Sequence, residues 1–315
     1  MNNESIALTT PVLFMVFNRL DTTKRVFDTI KKAKPARLYL ASDGARSIKA
    51  GEKETVDQVR NYVVSNIDWD CEVKTLFREQ NLGCGLAVSG AIDWLFENEE
   101  SGIILEDDCV PSESFFPFAD AMLENYIDDN SVGIIGGYNM FGDVTNDGIP
   151  YSAISMPVIW GWATWRRTWE MYKFDISNYS KIEIIEIINS VTNNVGTRRF
   201  FTKGIYETSI GKIDTWDFQL ILKLFMYKKM VIVPNVNLIE NIGFGSNATH
   251  TSDKNSALGQ AKFGKLNPPY LFNGKLAINK SLVHLFEKEM YNLSFVMSFR
   301  MTIKEFALKF LKKIE

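Results

Sequence analysis

Gly102-Ile103-Ile104-Leu105-Glu106-Asp107-Asp108 is a short apolar run that ends, without a spacer, in three consecutive acids. Such an unbroken run marks a strand covered on both faces, the usual state of a strand inside a parallel sheet. Upstream the pattern repeats. Val12 to Phe17 is another apolar run, stopped by Asn18-Arg19 and followed by a helical spacing through Val26, Ile30 and Ala33 that Asp21 or Thr22 could cap. Arg37 to Ala41 reads as a strand ending in Ser42-Asp43-Gly44, Glu52 to Ile67 as a helix, and Val73, Thr75 and Phe77 alternate as a further strand. A helix opening at Gly83-Cys84-Gly85 leads into the acidic stretch, and a helix over Phe115 to Tyr126 and a strand over Val132 to Ile135 follow it. Strands alternating with helices specify an α/β fold with a mostly parallel, twisted sheet flanked by helices.

Beyond Gly136 the texture changes to glycines and polar turns, then to a segment in which Trp160, Trp162, Trp165 and Trp169 fall within ten residues. Helical patterns return over Ile182 to Ile188 and Trp216 to Tyr227, with a strand over Met230 to Val233 and a loop rich in Asn, Gly and Ser up to Gly264. Phe295, Phe299, Ile303, Phe306, Phe310 and Ile314 step by four and three among lysines, an amphipathic basic helix. The chain thus divides into an α/β half (1–140), a second half of the same domain (141–264) and a C-terminal helical extension (265–315).

With 315 residues, 46% of them hydrophobic, the chain can build a large core. Thirty-five basic against 38 acidic residues give a net charge of −3, so no sequence-independent attraction to nucleic acid is expected. Cys71, Cys84 and Cys109 form neither a disulfide framework nor a zinc ribbon, and Cys84 and Cys109 read as small apolar packing groups. Only His250 and His284 are present, which removes multi-histidine metal sites and points to carboxylate chemistry. The first ten residues lack a basic n-region and the run after them is too short for a signal segment, so the expected location is cytoplasmic. The Asn-x-Ser/Thr triplets at Asn3, Asn178, Asn247 and Asn292 then read as chance matches.

In open α/β sheets ligands gather outside the carboxyl ends of the strands, where Glu106, Asp107 and Asp108 should lie. Three adjacent carboxylates repel, and the cost at a strand end falls only if a cation or hydrogen-bond donors compensate. Oxygen-only ligands favour Mg²⁺ or Mn²⁺, whose shells are commonly completed by substrate phosphates. Arg19, Asp43 and Arg78 with Asn81 follow neighbouring strands onto the same edge, and Gly83 to Gly85 could leave amides open to a phosphate at a helix start.

Val-Phe-Asn-Arg (16–19), Ser-Asp-Gly (42–44), Asn-Leu-Gly-Cys-Gly (81–85), Ile-Leu-Glu-Asp-Asp-Cys (104–109), Gly-Trp-Ala-Thr-Trp (161–165), Trp-Asp-Phe-Gln (216–219), Asn-Ile-Gly-Phe-Gly (241–245) and Ala-Thr-His-Thr (248–251), in this order, resemble bacterial glycosyltransferases related to N-acetylglucosaminyltransferase I. The resemblance spans about residues 11 to 251 and implies the GT-A, nucleotide-diphospho-sugar transferase fold. It implies Asp108 as ligand of Mn²⁺ or Mg²⁺, with His250 approaching the metal or diphosphate. Glu106 and Asp107 would bond sugar or ribose hydroxyls, Asp43 and Arg78 the nucleoside, with Arg19 beside them in the nucleotide-sugar site. Asp217 would be the catalytic base, and Trp160, Trp162 and Trp165 would line the sugar and acceptor pocket. The implied reaction is inverting transfer from a nucleotide-sugar donor, a UDP-sugar, to a hydroxyl of a bacterial surface glycan or lipid-linked glycan. The basic terminal helix lies outside the span of the resemblance and reads as a stripe docked on protein, with peripheral membrane contact as the alternative. A sugar nucleotidyltransferase would instead follow its first strand with a glycine-rich loop, where this chain has Phe17-Asn18-Arg19-Leu20-Asp21. A noncatalytic carbohydrate-binding protein on the same scaffold would keep the pocket without turnover.

Overall fold

The computed structural model describes residues 8–144, 148–243, 264–270 and 276–291. Its centre is an eight-stranded sheet in the order β3 (Glu72–Phe77), β2 (Arg37–Ser42), β1 (Val12–Val16), β4 (Ser101–Glu106), β8 (Trp162–Trp165), β6 (Val132–Gly136), β9 (Met230–Pro234), β7 (Tyr151–Ile154). β1 to β4 are parallel, β8 runs against both β4 and β6, β9 is parallel to β6, and β7 closes the edge antiparallel to β9. The sheet is therefore mixed but mostly parallel, flanked by helices. The neighbouring interior strands β1 and β4 are buried as their apolar runs require: every residue of β1 is covered, and Ile103, Ile104 and Leu105 of β4 have no exposure.

Between the strands lie α1 (Leu20–Ala33), α2 (Glu52–Ser65), α3 (Gly83–Asn98) and α4 (Phe115–Asn125). The short helix α5 (Arg166–Trp169) follows β8; α6 (Lys181–Asn189), α7 (Val195–Ser209) and α8 (Asp217–Met226) pack on one another; and α9 (Lys280–Phe286) continues into a π-helical turn, Glu287–Tyr291. A separate two-stranded ribbon joins β5 (Cys109–Pro111), directly after the acidic triplet, to β10 (Ile239–Asn241). α1 buries Val26, Phe27 and Ile30, but it begins one residue before Asp21: Arg19 is its N-cap, and neither Asp21 nor Thr22 caps it. Instead the Thr22 and Thr23 hydroxyls donate back to the Arg19 carbonyl. β7, β8 and α7 have no counterpart among the sequence expectations; β8 is the tryptophan-rich segment itself, a strand of aromatic and β-branched residues.

Candidate active site

Strand register decides which loops meet. Met15 pairs with Ala41 on one side and Glu106 on the other, and Ser42 pairs with Phe77, so β1, β2, β3 and β4 end level along one edge. The residues that follow them, Arg19, Asp43, Arg78 and Asp107-Asp108, project from that edge. The Arg19 guanidinium Nη2 donates to Asp107 and, at 2.9 Å, to Asp108 Oδ2. The cation that the triplet was expected to need is thus supplied in part by the chain itself.

That compensation is incomplete. Asp107 is buried and its Oδ2 has no hydrogen-bond partner among the described residues. Burial, then the charges of Asp108, Asp107 and Asp217, push the Glu106 carboxyl well above the usual carboxylate range. Burial does the same to Asp107, with Arg19 working against it. The influence of Asp217 on Glu106 places the first acid of α8 within electrostatic reach of the strand end, although more than a hundred residues separate them in sequence. Cys84 reports the same convergence: burial, then Glu106, Asp214, Asp217 and Asp43, push its thiol up to about 12, a group kept protonated and unreactive.

Asp108 is held from the other side by the β5–β10 ribbon. Ile242 N–H donates to the Asp108 carbonyl at 2.8 Å, and a Cβ on Gly243 would stand 2.2 Å from Asp108 Oδ2. Only glycine leaves room for the carboxylate there. His250 and the basic terminal helix lie outside the described residues.

Asp217 Oδ1 accepts from Thr215 Oγ1 and from the Phe218 amide at 2.8 Å, which locks the carboxylate at the start of α8. Its Oδ2 carries no protein hydrogen bond among the described residues. Beneath it Trp216 stacks on Trp162, ring centroids 5.8 Å apart and planes 13° from parallel. The indoles therefore divide. Trp162 sits at the acidic end of β8, opposite Ile104, but is 1% exposed and supports the site from below. Trp165 pairs with Ser101 at the opposite edge, buried, with its Nε1 donating to the Leu123 carbonyl, so it is no part of a pocket shared with the acids. The antiparallel direction of β8 is the reason: three residues of strand carry the chain about 10 Å away from the edge. Trp160, half-buried and edge-on to Tyr138, keeps surface at the acidic edge.

Two further expected site residues are engaged within the protein. Asp43 was expected to face a nucleoside; its carboxylate instead accepts from the amides of Gly44, Leu82 and Gly83 and from Asn81 Nδ2, tying the loop after β2 to the start of α3. Arg78 turns along α3, donating to the Ala87 carbonyl at 3.2 Å and lying against Gly90. Both are drawn inward because unpaired amides and carbonyls at helix and strand ends attract the nearest charged side chain. The amides of Cys84 and Gly85 are likewise taken, each donating at 3.0 Å to Asp214, whose carboxylate fits only because Gly83 (φ +82°) and Gly85 have no Cβ. Asp214 escaped the sequence reading, as did Glu52 and Arg60. Glu52 is buried and accepts from Asn18 and Arg46; hydrogen bonds from Arg46 hold its carboxyl down at about 2. Arg60 gathers the carbonyls of Ser42, Asp43 and Arg78.

The fit of a divalent ion follows from these donors. Among the described residues no three His, Cys, Asp or Glu side chains form a ready cage. The arrangement suits the other mode open to a hard cation, in which one or two carboxylates share the ion with phosphate oxygens of the ligand, and the partly exposed Asp108 with the orphaned oxygen of Asp107 would be the donors for it.

The chain matches no protein-family model and no curated protein. Among solved structures it is similar to the inositol-1-phosphate CTP transferase from T. maritima, at 10% identity and TM-score 0.40 over 81% of this chain and 97% of that one. It is also similar to residues 1–349 of TarS from S. aureus, at 9% identity and TM-score 0.38 over 73% and 59%. A third is HddC from Yersinia pseudotuberculosis, at 14% identity and TM-score 0.33 over 52% and 80%.

Proposed function

We propose that the chain is a metal-dependent inverting glycosyltransferase of GT-A type, moving a sugar from a nucleotide-diphosphate donor, a UDP-sugar, to a hydroxyl of a bacterial surface glycan. One observation carries the reading: Arg19, the Glu106–Asp108 triplet and Asp217, far apart in sequence, meet at one sheet edge with unbalanced negative charge. A diphosphate brought to this edge would meet two or more carboxylates and one arginine, so its binding calls for an added divalent cation. Asp108, with the free oxygen of Asp107, would hold Mn²⁺ or Mg²⁺, and the ion would offset charge developing on the leaving diphosphate.

The chain's own part is proton transfer and orientation. Asp217 Oδ2 takes the proton of the acceptor hydroxyl as that oxygen bonds to the anomeric carbon. The bond from that carbon to the phosphate oxygen breaks on the opposite face and its electron pair leaves with the nucleoside diphosphate. Thr215 and the Phe218 amide, fixed on Oδ1, keep the basic oxygen aimed, and the Trp162–Trp216 stack keeps the helix start in place. Glu106, beside them at the strand end, would bond a sugar or ribose hydroxyl. Trp160 offers an aromatic face to a sugar ring.

The test is release of UDP from UDP-sugars with Mn²⁺ present. Asp217→Asn should lower turnover by about 10²- to 10⁴-fold with UDP binding retained; unchanged turnover rejects Asp217 as base. Asp108→Ala should abolish Mn²⁺-dependent UDP binding. A noncatalytic binder would release no UDP from any donor, and a nucleotidyltransferase would form nucleotide-sugar from a nucleoside triphosphate.

A further inference from the structure

The start of α8 is closed by no capping side chain. Its N-cap is Trp216, whereas Ser, Thr, Asp and Asn are the residues that close a helix start locally. The placing of Asp217, one residue further on, is therefore left largely to contacts with other segments. α3 has the converse need. Its N-cap, Leu82, supplies no capping side chain either, and its first turn carries no acid, so its leading amides require acceptors from elsewhere.

Asp214 meets both needs. Its Oδ2 accepts from the Cys84 amide and its Oδ1 from the Gly85 amide, each at 3.0 Å. A carboxylate is well suited to a helix N-terminus, where aligned peptide dipoles favour negative charge. The fit is close: a Cβ on Gly83 would stand 2.5 Å from Asp214 Oδ2, and one on Gly85 2.6 Å from Oδ1 and 2.9 Å from the Thr215 carbonyl oxygen. Gly-Cys-Gly at 83–85 thus makes room for the backbone after Asp214 as well as for its carboxylate. Gln219 Nε2 donates to that same Thr215 carbonyl at 2.8 Å, which ties the first turn of α8 to the residue seated on α3. Three residues of chain span at most about 10 Å. Thr215 and Trp216, between the two acids, are buried, so a displacement at Asp214 is passed on to Asp217 and not absorbed by a free loop.

We propose that Asp214 is the positioning residue of the Asp217 base: seated on the α3 amides, it fixes the segment from Asp214 to Asp217 and with it the aim of the carboxylate at the acceptor hydroxyl. The proposal deepens the transfer reading and rests on Asp217 being the base. Asp214 acts through the backbone and touches neither donor nor acceptor. Its side is exposed to solvent, where screened contacts add little to global stability, so its effect on turnover separates from its effect on folding.

The variant that tests this is Asp214→Asn, which keeps the shape, removes the charge and sets an Nδ2 donor against an amide donor. It should lower kcat by about 10- to 100-fold, the cost of a misplacement on the order of 1 Å. KM for the UDP-sugar, Mn²⁺-dependent UDP binding and the melting temperature should stay near wild type. Gly85→Ala leaves the Asp214 charge in place but drives a methyl into the same contact, and should lower kcat by a similar factor; the double variant should lose no more than the worse single one. Ser180→Ala, which removes the capping box of α6, should lower the melting temperature with kcat unchanged. A readout without substrate accompanies these: in the fluorotryptophan-labelled full chain, the Trp216 resonance, assigned by Trp216→Phe, should move in Asp214→Asn and Gly85→Ala but not in Ser180→Ala. Wild-type kcat in Asp214→Asn, where Asp217→Asn is impaired, overturns the positioning role and leaves the transfer reading intact. A Trp216 resonance that stays in place in Asp214→Asn also overturns it. Normal turnover by Asp217→Asn overturns the base assignment and the positioning role with it. Absence of turnover by wild type with every UDP-sugar overturns the transfer reading, and the resonance then decides by itself whether Asp214 fixes the start of α8.

Discussion

Arg19→Met is the substitution whose consequence the geometry sets most directly. The methionine keeps most of the apolar stem and removes the one guanidinium that, among the described residues, bonds Asp107 and Asp108. Removing one partner of a buried ion pair costs about 3–5 kcal/mol because the other charge is left unpaired. The Arg19 side chain is 30% exposed, however, against 6% for Asp107, so solvent shares the screening and about 2 kcal/mol is the working figure. At roughly 2–4 °C per kcal/mol for a large domain, the melting temperature should fall by about 4–8 °C near neutral pH. The sign with pH follows from Asp107. Its folded-state carboxyl titrates above its unfolded value, so the folded form holds the proton more tightly and stability declines as pH rises from the unfolded toward the folded pKa. Without Arg19 that window extends upward, and the deficit should be smallest at pH 4–5 and grow toward pH 8. Mn²⁺ should restore more stability to the variant than to wild type, since the ion replaces the missing positive charge. The assay is a thermal melt across pH, with and without 1–5 mM Mn²⁺ as a rough range spanning weak carboxylate affinities. A variant that melts with wild type at every pH refutes the claim that Arg19 compensates the acids; destabilisation that Mn²⁺ leaves untouched refutes the claim that a cation belongs there.

Three other outcomes follow from contacts described above. Gly243→Ala would place a methyl 2.2 Å from Asp108 Oδ2 and push the carboxylate aside, so Mn²⁺-dependent UDP binding should weaken by at least about tenfold with a near-normal melt; unaltered binding would show that the position of Asp108 is irrelevant. Glu52, held near 2 by Arg46, contributes stability that is complete above its ordinary value near 4.5 and is lost as pH falls toward 2, so Glu52→Gln should be less stable than wild type at pH 7 and converge with it in acid. A constant offset between the two melts at all pH values would contradict this. Trp160→Ala should raise the apparent KM for donor or acceptor several-fold with little change in melting, whereas Trp165→Phe should lower the melting temperature and leave KM alone; the reverse pattern would undo the division of the indoles by edge.

The strands of the first half and the charged residues at their ends were legible, whereas the order of the strands was not. Apolar runs at Val12–Val16 and 103–105, and the charged residues placed directly after them, are local facts of the chain, because a strand buried on both faces must be apolar and its polar end must emerge at a sheet edge. The run of amino acids alone therefore determined an α/β sheet, the edge that carries Arg19 and the three acids, and the placing of Asp217 at the opening of a helix. It could not determine partners, which depend on contacts between distant segments. Only the folded chain decided that Asp43 and Asp214 are consumed by the amides ahead of α3, that Arg78 turns along that helix, and that Arg19 rather than water faces Asp107. The same holds for β8. Its four residues carry no mark of direction, and it is the pairing of Trp162 with Ile104 and of Trp165 with Ser101 that sends one indole to the acidic edge and the other to the far side. Hydrogen bonding between strands is blind to most side-chain identities, so direction and register are settled by the packing of the whole sheet.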